Sequence, residues 1–296
     1  MAKLPTDADI LPPSDDHIFK TLLTHPDAKR VLMDIISSVI ERPVVDVRVQ
    51  NTELPISDVK EKGERLDVNC TIDGGDQINV EMQSSRMEEV GEDHGHKNFK
   101  NKYIYYGTDL HSSQPSKGKK YDELVRTYQV TFCCYTVLPE RLSFVNRAML
   151  RFEDGVQFSD QINIVIVEMS KLGDVLKKPI EALTSLEMWS VFFQFAEDSK
   201  YRDVINSIIE TKREVGMASE LLMAISTDED ERARFRSRRK FESDLESNMR
   251  SSEENGRIEG RAEERREIAK YLKTKGMPVE EIAAATKLTV DDILRL

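Results

Sequence analysis

The chain has 296 residues, of which 33% are charged and 39% hydrophobic, and its formal net charge is -11. This length fits one large domain with an appendage or two domains, and the acidic balance argues against a protein that coats nucleic acid nonspecifically. No apolar run approaches the roughly 20 residues of a membrane span, and the N-terminal residues lack an apolar signal core, so the sequence predicts no membrane partner.

The three cysteines, Cys70, Cys133 and Cys134, lie in apolar runs. Their spacing matches no zinc site, and their odd number excludes a fully paired disulfide framework. Buried free thiols are typical of a reducing compartment, so the sequence predicts a cytoplasmic protein.

Two helices are predicted near the N-terminus, and the apolar positions of the first include Ile18, Leu22 and Leu23. Ser14 or Asp15 can cap this helix, and a negative charge on Asp16 in its first turn suits the helix dipole. A second helix is predicted through residues 31–40, followed by a first strand over residues 44–54.

Two runs of alternating apolar and polar residues flank a glycine pair within the segment from Leu66 to Gln83. A period of two is typical of strands with one buried face. A two-residue turn would set polar residues opposite apolar ones, whereas a three-residue loop over residues 73–75, with Gly75 left-handed, aligns the apolar residues. The predicted pairs are Leu66 with Met82, Val68 with Val80 and Cys70 with Ile78.

On the other face of this hairpin, the same register sets Asp67 opposite Glu81. Like charges about 5 Å apart destabilise a strand pair, and a divalent cation between them removes that cost. Gln83 points from the same face. A solvated face with scattered acids explains the pattern as well. A lysine filling the gap between the two carboxylates would contradict the metal interpretation.

The central part of the chain mixes helical and strand patterns. Grouped strands with helices before and after them predict an α/β fold with a mixed sheet and flanking helices. The predicted elements are a helix over residues 98–110, strands over 130–137, 142–152 and 162–169, and a helix over 185–196.

The last third of the chain shows no strand pattern. It predicts one amphipathic helix over residues 204–225, a highly charged segment over 228–268 with a hinge at 251–260, and two short helices at the end. The basic residues between Arg232 and Lys240 either contact nucleic acid or form an ordinary solvated helix surface. The terminal helices resemble a fragment of a helix-turn-helix without a basic recognition face, so packing or homo-oligomerisation is an equal alternative.

Several motifs occur together in a characteristic order. Asp67 is followed on the next strand by Glu81-Met82-Gln83, which resembles the core of the PD-(D/E)XK nuclease superfamily. Nearly the whole chain resembles, more closely, the Rpn-type family of recombination-promoting nucleases and transposases. The further matching segments are Asp16 to Lys20, Arg65 to Asp67, Tyr103 to Tyr106, Gly118 to Leu124, Gly256 to Gly260, Glu267 to Lys270 and Glu280 to Ala283.

The resemblance implies a nuclease-like domain over residues 1–205, a charged helical extension over 206–260 and a short helical unit over 261–296. It also implies a DNA endonuclease involved in recombination or mobile elements, with DNA as its partner. Asp67 and Glu81 would bind Mg²⁺, or alternatively Mn²⁺, together with the carbonyl of Met82. Gln83 would position the attacking water, and Asp16 would assist from its helix.

Gln83 stands where the wider superfamily has lysine. A neutral amide offers hydrogen bonds but neither a positive charge nor a general base. The alternative function is therefore an inactive protein of nuclease fold that assembles partners through its helical tail.

Overall fold

In the computed structural model, residues 3–50, 68–84, 92–114 and 120–296 are described, with backbone alone for 92–98, 242, 245 and 246. The chain divides into two compact units, residues 1–232 and residues 233–296. Across the described ranges, no helix is both long and apolar enough to cross a bilayer.

The described part of the first unit is built around a six-stranded sheet. Its strands are β1 (Val47–Val49), β2 (Val68–Ile72), β3 (Gln77–Gln83), β4 (Thr127–Cys133), β5 (Val145–Arg151) and β6 (Gln157–Glu168). Their spatial order is β1-β2-β3-β4-β6-β5. The first three strands are antiparallel neighbours, β3, β4 and β6 run parallel, and β5 pairs antiparallel with β6 at the edge.

Helices precede, connect and follow these strands, which confirms the predicted α/β fold class. In the first unit they are α1 (Asp16–Leu23), α2 (Lys29–Ile40), α3 (Glu92–Ser112), α4 (Ser185–Phe195), α5 (Arg202–Thr211) and α6 (Arg213–Thr227). Helix α7 (Glu229–Thr274) continues into the second unit, which also holds α8 (Val279–Thr286) and α9 (Val290–Arg295).

The hairpin of β2 and β3 has the predicted register. Val68 pairs with Val80 and Cys70 with Ile78, and the apolar side chains of both pairs are buried. Residues 73–75 form the loop, in which Gly74 and Gly75 adopt φ values of 77° and 90°. A left-handed backbone of this kind favours glycine, which explains why the loop carries two of them.

Helices α1 and α4 provide aromatic core on one face of the sheet. Phe19 of α1 packs 5.2 Å from Phe193 of α4 and 6.1 Å from Phe132 of β4, measured between ring centroids. The N-cap of α1 is Asp15, whose side chain accepts hydrogen bonds from the backbone N–H groups of His17 and Ile18. This cap fixes where the helix begins and so fixes the position of Asp16 in its first turn.

The prediction of a single helix over residues 204–225 is wrong, because the structure has two helices there, α5 and α6, separated by Lys212. The backbone of this residue is extended, and its Nζ atom lies 2.9 Å from the carboxylate of Asp34 on α2. The ion pair stabilises an interruption that the amphipathic pattern of the sequence does not reveal.

The predicted hinge over residues 251–260 is also wrong, because α7 runs through it without a break. Gly256 and Gly260 lie in open surroundings, and Glu254 pairs with Arg257 one helical turn away at 2.8 Å. The second unit has its own small core of Ala269, Ile282 and Ile293. Helices α8 and α9 confirm the two short helices predicted for this end of the chain.

Candidate active site

Glu81 lies on β3 and is only 7% exposed. Its neighbours on the same face of the sheet, Asn79 on β3 and Gln129 on β4, are fully buried. Helix α3 packs against β4 and β6. The solvated face that the sequence left open as an alternative is therefore not observed at Asn79 or Glu81.

Three donors reach the carboxylate of Glu81. Lys102 Nζ lies 3.0 Å from Oε1, and the Tyr103 hydroxyl lies 3.3 Å from the same oxygen. Gln129 Nε2 lies 3.4 Å from Oε2. The carboxylate is therefore held on one side by helix α3 and on the other by the neighbouring parallel strand.

Burial raises the pKa of Glu81 above its ordinary value, because a carboxylate away from water is costly to ionise. The ammonium group of Lys102 and the three hydrogen bonds act in the opposite direction. Burial therefore favours the protonated form of Glu81, and the positive charge of Lys102 favours the carboxylate.

Gln83 follows two residues later at the end of β3. The Tyr103 hydroxyl shares its single proton between Glu81 and the side-chain oxygen of Gln83, which lies 3.0 Å away, and Lys102 Nζ lies 3.5 Å from the same Gln83 oxygen. Tyr103 is 1% exposed and packs against Phe99, with ring centroids 4.5 Å apart. A residue of the hydrophobic core therefore positions the amide of Gln83.

Gln129 and Asn79 form a buried row of amides beside Glu81. The two residues are direct neighbours in the parallel register of β3 and β4, and Asn79 Nδ2 donates to Gln129 Oε1 at 3.0 Å. With its oxygen engaged in this way, Gln129 presents its NH₂ group to Glu81. The row fixes the orientation of Gln129 and, through it, that of the carboxylate.

Asp16 approaches the same end of β3 from helix α1. Its Oδ1 accepts a hydrogen bond from the backbone N–H of Ser84 at 3.3 Å. Burial raises the pKa of Asp16, and the nearby charges of Asp15 and Glu81 raise it further, while the Ser84 hydrogen bonds lower it. The structure therefore brings Asp16, Glu81 and Gln83 into one region.

Asp67 lies outside the described residues, and so does its predicted pairing with Glu81. Across the ranges that the structure covers, no three His, Cys, Asp or Glu side chains form a group able to hold a metal ion. Lys102 lies 3.0 Å from Glu81, and a lysine filling the gap to Asp67 would contradict the metal interpretation, but that gap lies outside the described residues. The acidic groups of the site are ligand types that suit a divalent cation. Glu81 is a buried carboxylate, and Asp16 adds a second acidic group whose pKa the first one raises.

Two functional candidates, Lys102 and Gln129, were missed at the sequence level. Lys102 lies on the helix predicted over residues 98–110, directly before Tyr103. Nothing in its sequence neighbourhood distinguishes it from a lysine on the helix surface. Gln129 precedes the strand predicted over 130–137, whereas β4 begins at Thr127. Thr127, Gln129 and Thr131 alternate with apolar residues, and this alternation was the signal for a polar row.

A comparison with models of protein families matches residues 13–252 to the family described as PD-(D/E)XK nuclease family transposase. The match covers most of the chain and confirms the family resemblance inferred from the motifs. No curated protein and no solved structure matches the chain.

Proposed function

Because the chain belongs to the PD-(D/E)XK nuclease family transposases, we propose that it is a metal-dependent endonuclease that hydrolyses DNA phosphodiester bonds. The observation that carries the proposal is the buried carboxylate of Glu81 beside Lys102, Gln83 and Asp16. The family description also supports a role in DNA recombination or in mobile elements.

In this proposal Glu81 and Asp67 hold Mg²⁺ or Mn²⁺ together with the carbonyl oxygen of Met82, and Asp16 contributes negative charge from α1. The cation, when bound, acts as a Lewis acid on the scissile phosphate and lowers the pKa of a water ligand. A carboxylate offers about four lone-pair positions. Lys102 uses one on Oε1, Tyr103 shares its single hydroxyl proton between that oxygen and Gln83 Oε1, and Gln129 uses one on Oε2. Glu81 thus keeps acceptor capacity on Oε2.

Lys102 supplies the positive charge that Gln83 cannot. In the wider superfamily a strand lysine occupies the position of Gln83, and here Lys102 reaches the oxygen of that amide from α3 at 3.5 Å. The ammonium group stabilises the negative charge that develops on the phosphate oxygens in the transition state. Lys102 contacts Oε1 of Glu81, so in this proposal the cation would use the other oxygen, Oε2, which accepts from Gln129.

Gln83 orients the attacking water, because Tyr103 and Lys102 fix its amide. The water oxygen forms a bond to phosphorus while the bond from phosphorus to the leaving sugar oxygen breaks. A neutral amide cannot take up the proton of the water, so that proton passes to solvent, and solvent protonates the leaving oxygen.

The test is cleavage of supercoiled plasmid DNA with Mg²⁺ or Mn²⁺ by the wild type, Glu81→Gln and Asp67→Asn. We expect each variant to cleave about a hundredfold more slowly, a typical cost of losing a group that stabilises charge in the transition state. Glu123→Gln changes an exposed acid and is the matched control. Equal cleavage by the wild type and Glu81→Gln would reject the assignment.

Metal binding gives a readout that does not depend on cleavage. Mg²⁺ should raise the melting temperature of the wild type, because a ligand that binds only the folded state stabilises it by mass action. The increase should vanish in Glu81→Gln. A wild type without any metal response would instead favour the inactive protein that assembles through its helical tail.

A further inference from the structure

A concentration of positive charge lies near the beginning of the second unit. Six of the nine residues from 232 to 240 are Arg or Lys, and none is acidic, in a chain whose net charge is -11. The segment is helical throughout, within α7. Arg236, Arg239 and Lys240, here called the basic stripe, are all exposed.

Helical spacing places the basic stripe on one face. Lys240 follows Arg236 by four residues and Arg239 follows it by three, so the three side chains leave the helix on the same side. The Arg239 guanidinium lies 6.0 Å from the ring centroid of Phe235, a cation–π contact that helps to orient it. The stripe therefore presents two guanidinium groups and one ammonium group to solvent in one direction.

This arrangement is unfavourable for an isolated helix. Like charges separated by four residues repel each other, and the segment contains three such pairs. Farther along α7 the charges are balanced, since Glu254 pairs with Arg257 at 2.8 Å and Glu267 with Lys270 at 3.1 Å. Asp244, four residues after Lys240, offsets part of this repulsion. The repulsion is greatest at Arg236, whose charged neighbours three and four residues away are Arg232, Arg239 and Lys240, and a bound polyanion would relieve it.

Arg232 does not belong to the stripe, because the folded first unit already uses it. Its guanidinium pairs with the side chain of Asp9 and donates to the carbonyl of Ser226 at 2.7 Å. Its role is to hold the beginning of α7, which leaves the exposed residues after it for a ligand.

We infer that the basic stripe binds the phosphate backbone of duplex DNA. The choice of DNA among polyanions rests on the proposed nuclease function. Arginine forms forked hydrogen bonds to phosphate, and two of the three stripe residues are arginines. Contacts of this kind position a duplex without reading its sequence, so the stripe holds substrate and leaves sequence preference to other residues.

The test is the binding of a short fluorescein-labelled DNA duplex, followed by fluorescence anisotropy in EDTA across a KCl series. The triple variant Arg236→Ala/Arg239→Ala/Lys240→Ala should bind more weakly than the wild type. The slope of log affinity against log salt should fall by about 2 to 3, since each phosphate contact contributes about 0.9. The conservative variant Arg236→Lys/Arg239→Lys should keep most of the slope.

The matched control is Arg261→Ala/Arg265→Ala/Arg266→Ala, which removes three exposed positive charges from the same helix. It should bind DNA with the wild-type slope. Equal losses in both triple variants would indicate a net-charge effect and overturn the inference. Unchanged binding by the stripe variant would also overturn it, as would a wild type that does not bind the duplex.

The failure of this inference is distinguishable from failure of the nuclease assignment. DNA cleavage abolished in Glu81→Gln, together with wild-type binding by the stripe variant, would leave the nuclease intact and reject the stripe. If Glu81→Gln cleaves DNA like the wild type and the stripe variant shows a reduced salt slope, the stripe is supported and the nuclease assignment is rejected. Circular dichroism of each variant checks that α7 remains helical.

Discussion

Lys102 Nζ lies 3.0 Å from Oε1 of Glu81, so helix α3 supplies a positive charge to a carboxylate that the sheet has buried. Glu81 has a side-chain exposure of 9% and Lys102 one of 28%, which separates this pair from an ordinary surface salt bridge. Breaking a buried pair leaves an uncompensated charge, and that cost exceeds what the intact pair contributes.

Lys102→Met is therefore expected to lower the free energy of unfolding by about 2 kcal/mol in metal-free buffer, less than for a fully buried pair because the lysine is partly solvated. DNA cleavage should fall by about tenfold or more, and Lys102→Arg should restore part of it. Urea denaturation and plasmid cleavage measure the two effects.

The control for that variant is on the same helix. Lys100 pairs with Glu140 at 3.3 Å, and both side chains are about half exposed. Lys100→Met should change the stability by less than about 0.5 kcal/mol and leave cleavage unchanged. If Lys100→Met lost as much stability as Lys102→Met, the cost would come from replacing any lysine of α3 with methionine. That result would reject a specific role for Lys102.

Gln129→Met should cost about 1–3 kcal/mol of stability, because it leaves Glu81 Oε2 and Asn79 Nδ2 without the partner that each now has. In cleavage assays kcat should fall while KM changes little, since Gln129 orients Glu81 and lies too deep to touch DNA. A change in KM alone would argue against this positioning role.

Gln194 provides a comparison for Gln129. Its side-chain oxygen is buried and has no hydrogen-bond partner among the described residues. Gln194→Met should therefore be neutral or stabilising by up to about 1 kcal/mol. The contrast between the two variants separates the loss of a hydrogen-bond network from the general effect of placing methionine in the first unit.

Asp16→Asn should make the protein more stable near neutral pH and less active. Burial raises the pKa of Asp16, so its ionisation costs stability as the pH rises through the folded value. The stability advantage of Asp16→Asn over the wild type should shrink as the pH falls from the folded-state pKa of Asp16 towards the ordinary aspartate value of about 3.9. Thermal melts of both proteins across this range measure the difference.

Asp203→Asn is the control for Asp16→Asn, because Asp203 is an exposed acid in the first turn of α5. Both substitutions remove a favourable interaction with a helix dipole, so the difference between them isolates the effect of burial at Asp16. If both variants lose the same stability near neutral pH, the charge of Asp16 is not strained by its surroundings.

The sequence predicts what depends on local pattern. The register of the β2–β3 hairpin follows from the alternation of apolar and polar residues and from the loop of Asp73, Gly74 and Gly75. The pairing of Val68 with Val80 could therefore be predicted from the sequence. The cap region of α1, and with it the location of Asp16, follows from similar local chemistry.

The sequence does not predict which distant residues meet at Glu81. Lys102 comes from 21 residues away and Gln129 from 48, and both contacts depend on how α3 and β4 pack on β3. Lys212 is a similar case, since its ion pair with Asp34 spans 178 residues and interrupts an otherwise helical pattern. The missed features are therefore tertiary contacts.

The sequence predicts a hinge that includes Gly256 and Gly260, but the structure has an unbroken helix, α7, at both positions. Apart from the adjacent residues and the backbone of the same helix, a Cβ atom added at either position would meet no atom within 4 Å. Because glycine inside a helix costs about 1 kcal/mol relative to alanine, Gly256→Ala/Gly260→Ala should stabilise α7 by about 2 kcal/mol. Circular dichroism during thermal denaturation measures the gain.

Gly155→Ala is the opposite case, because Gly155 also has open space around it but has a φ of 85°. An alanine there must adopt a left-handed backbone, which costs about 1 kcal/mol. The two substitutions thus share chemistry and exposure but should have effects of opposite sign. A loss of helical signal in the double variant of α7 would contradict the unbroken helix and would support the hinge predicted from the sequence.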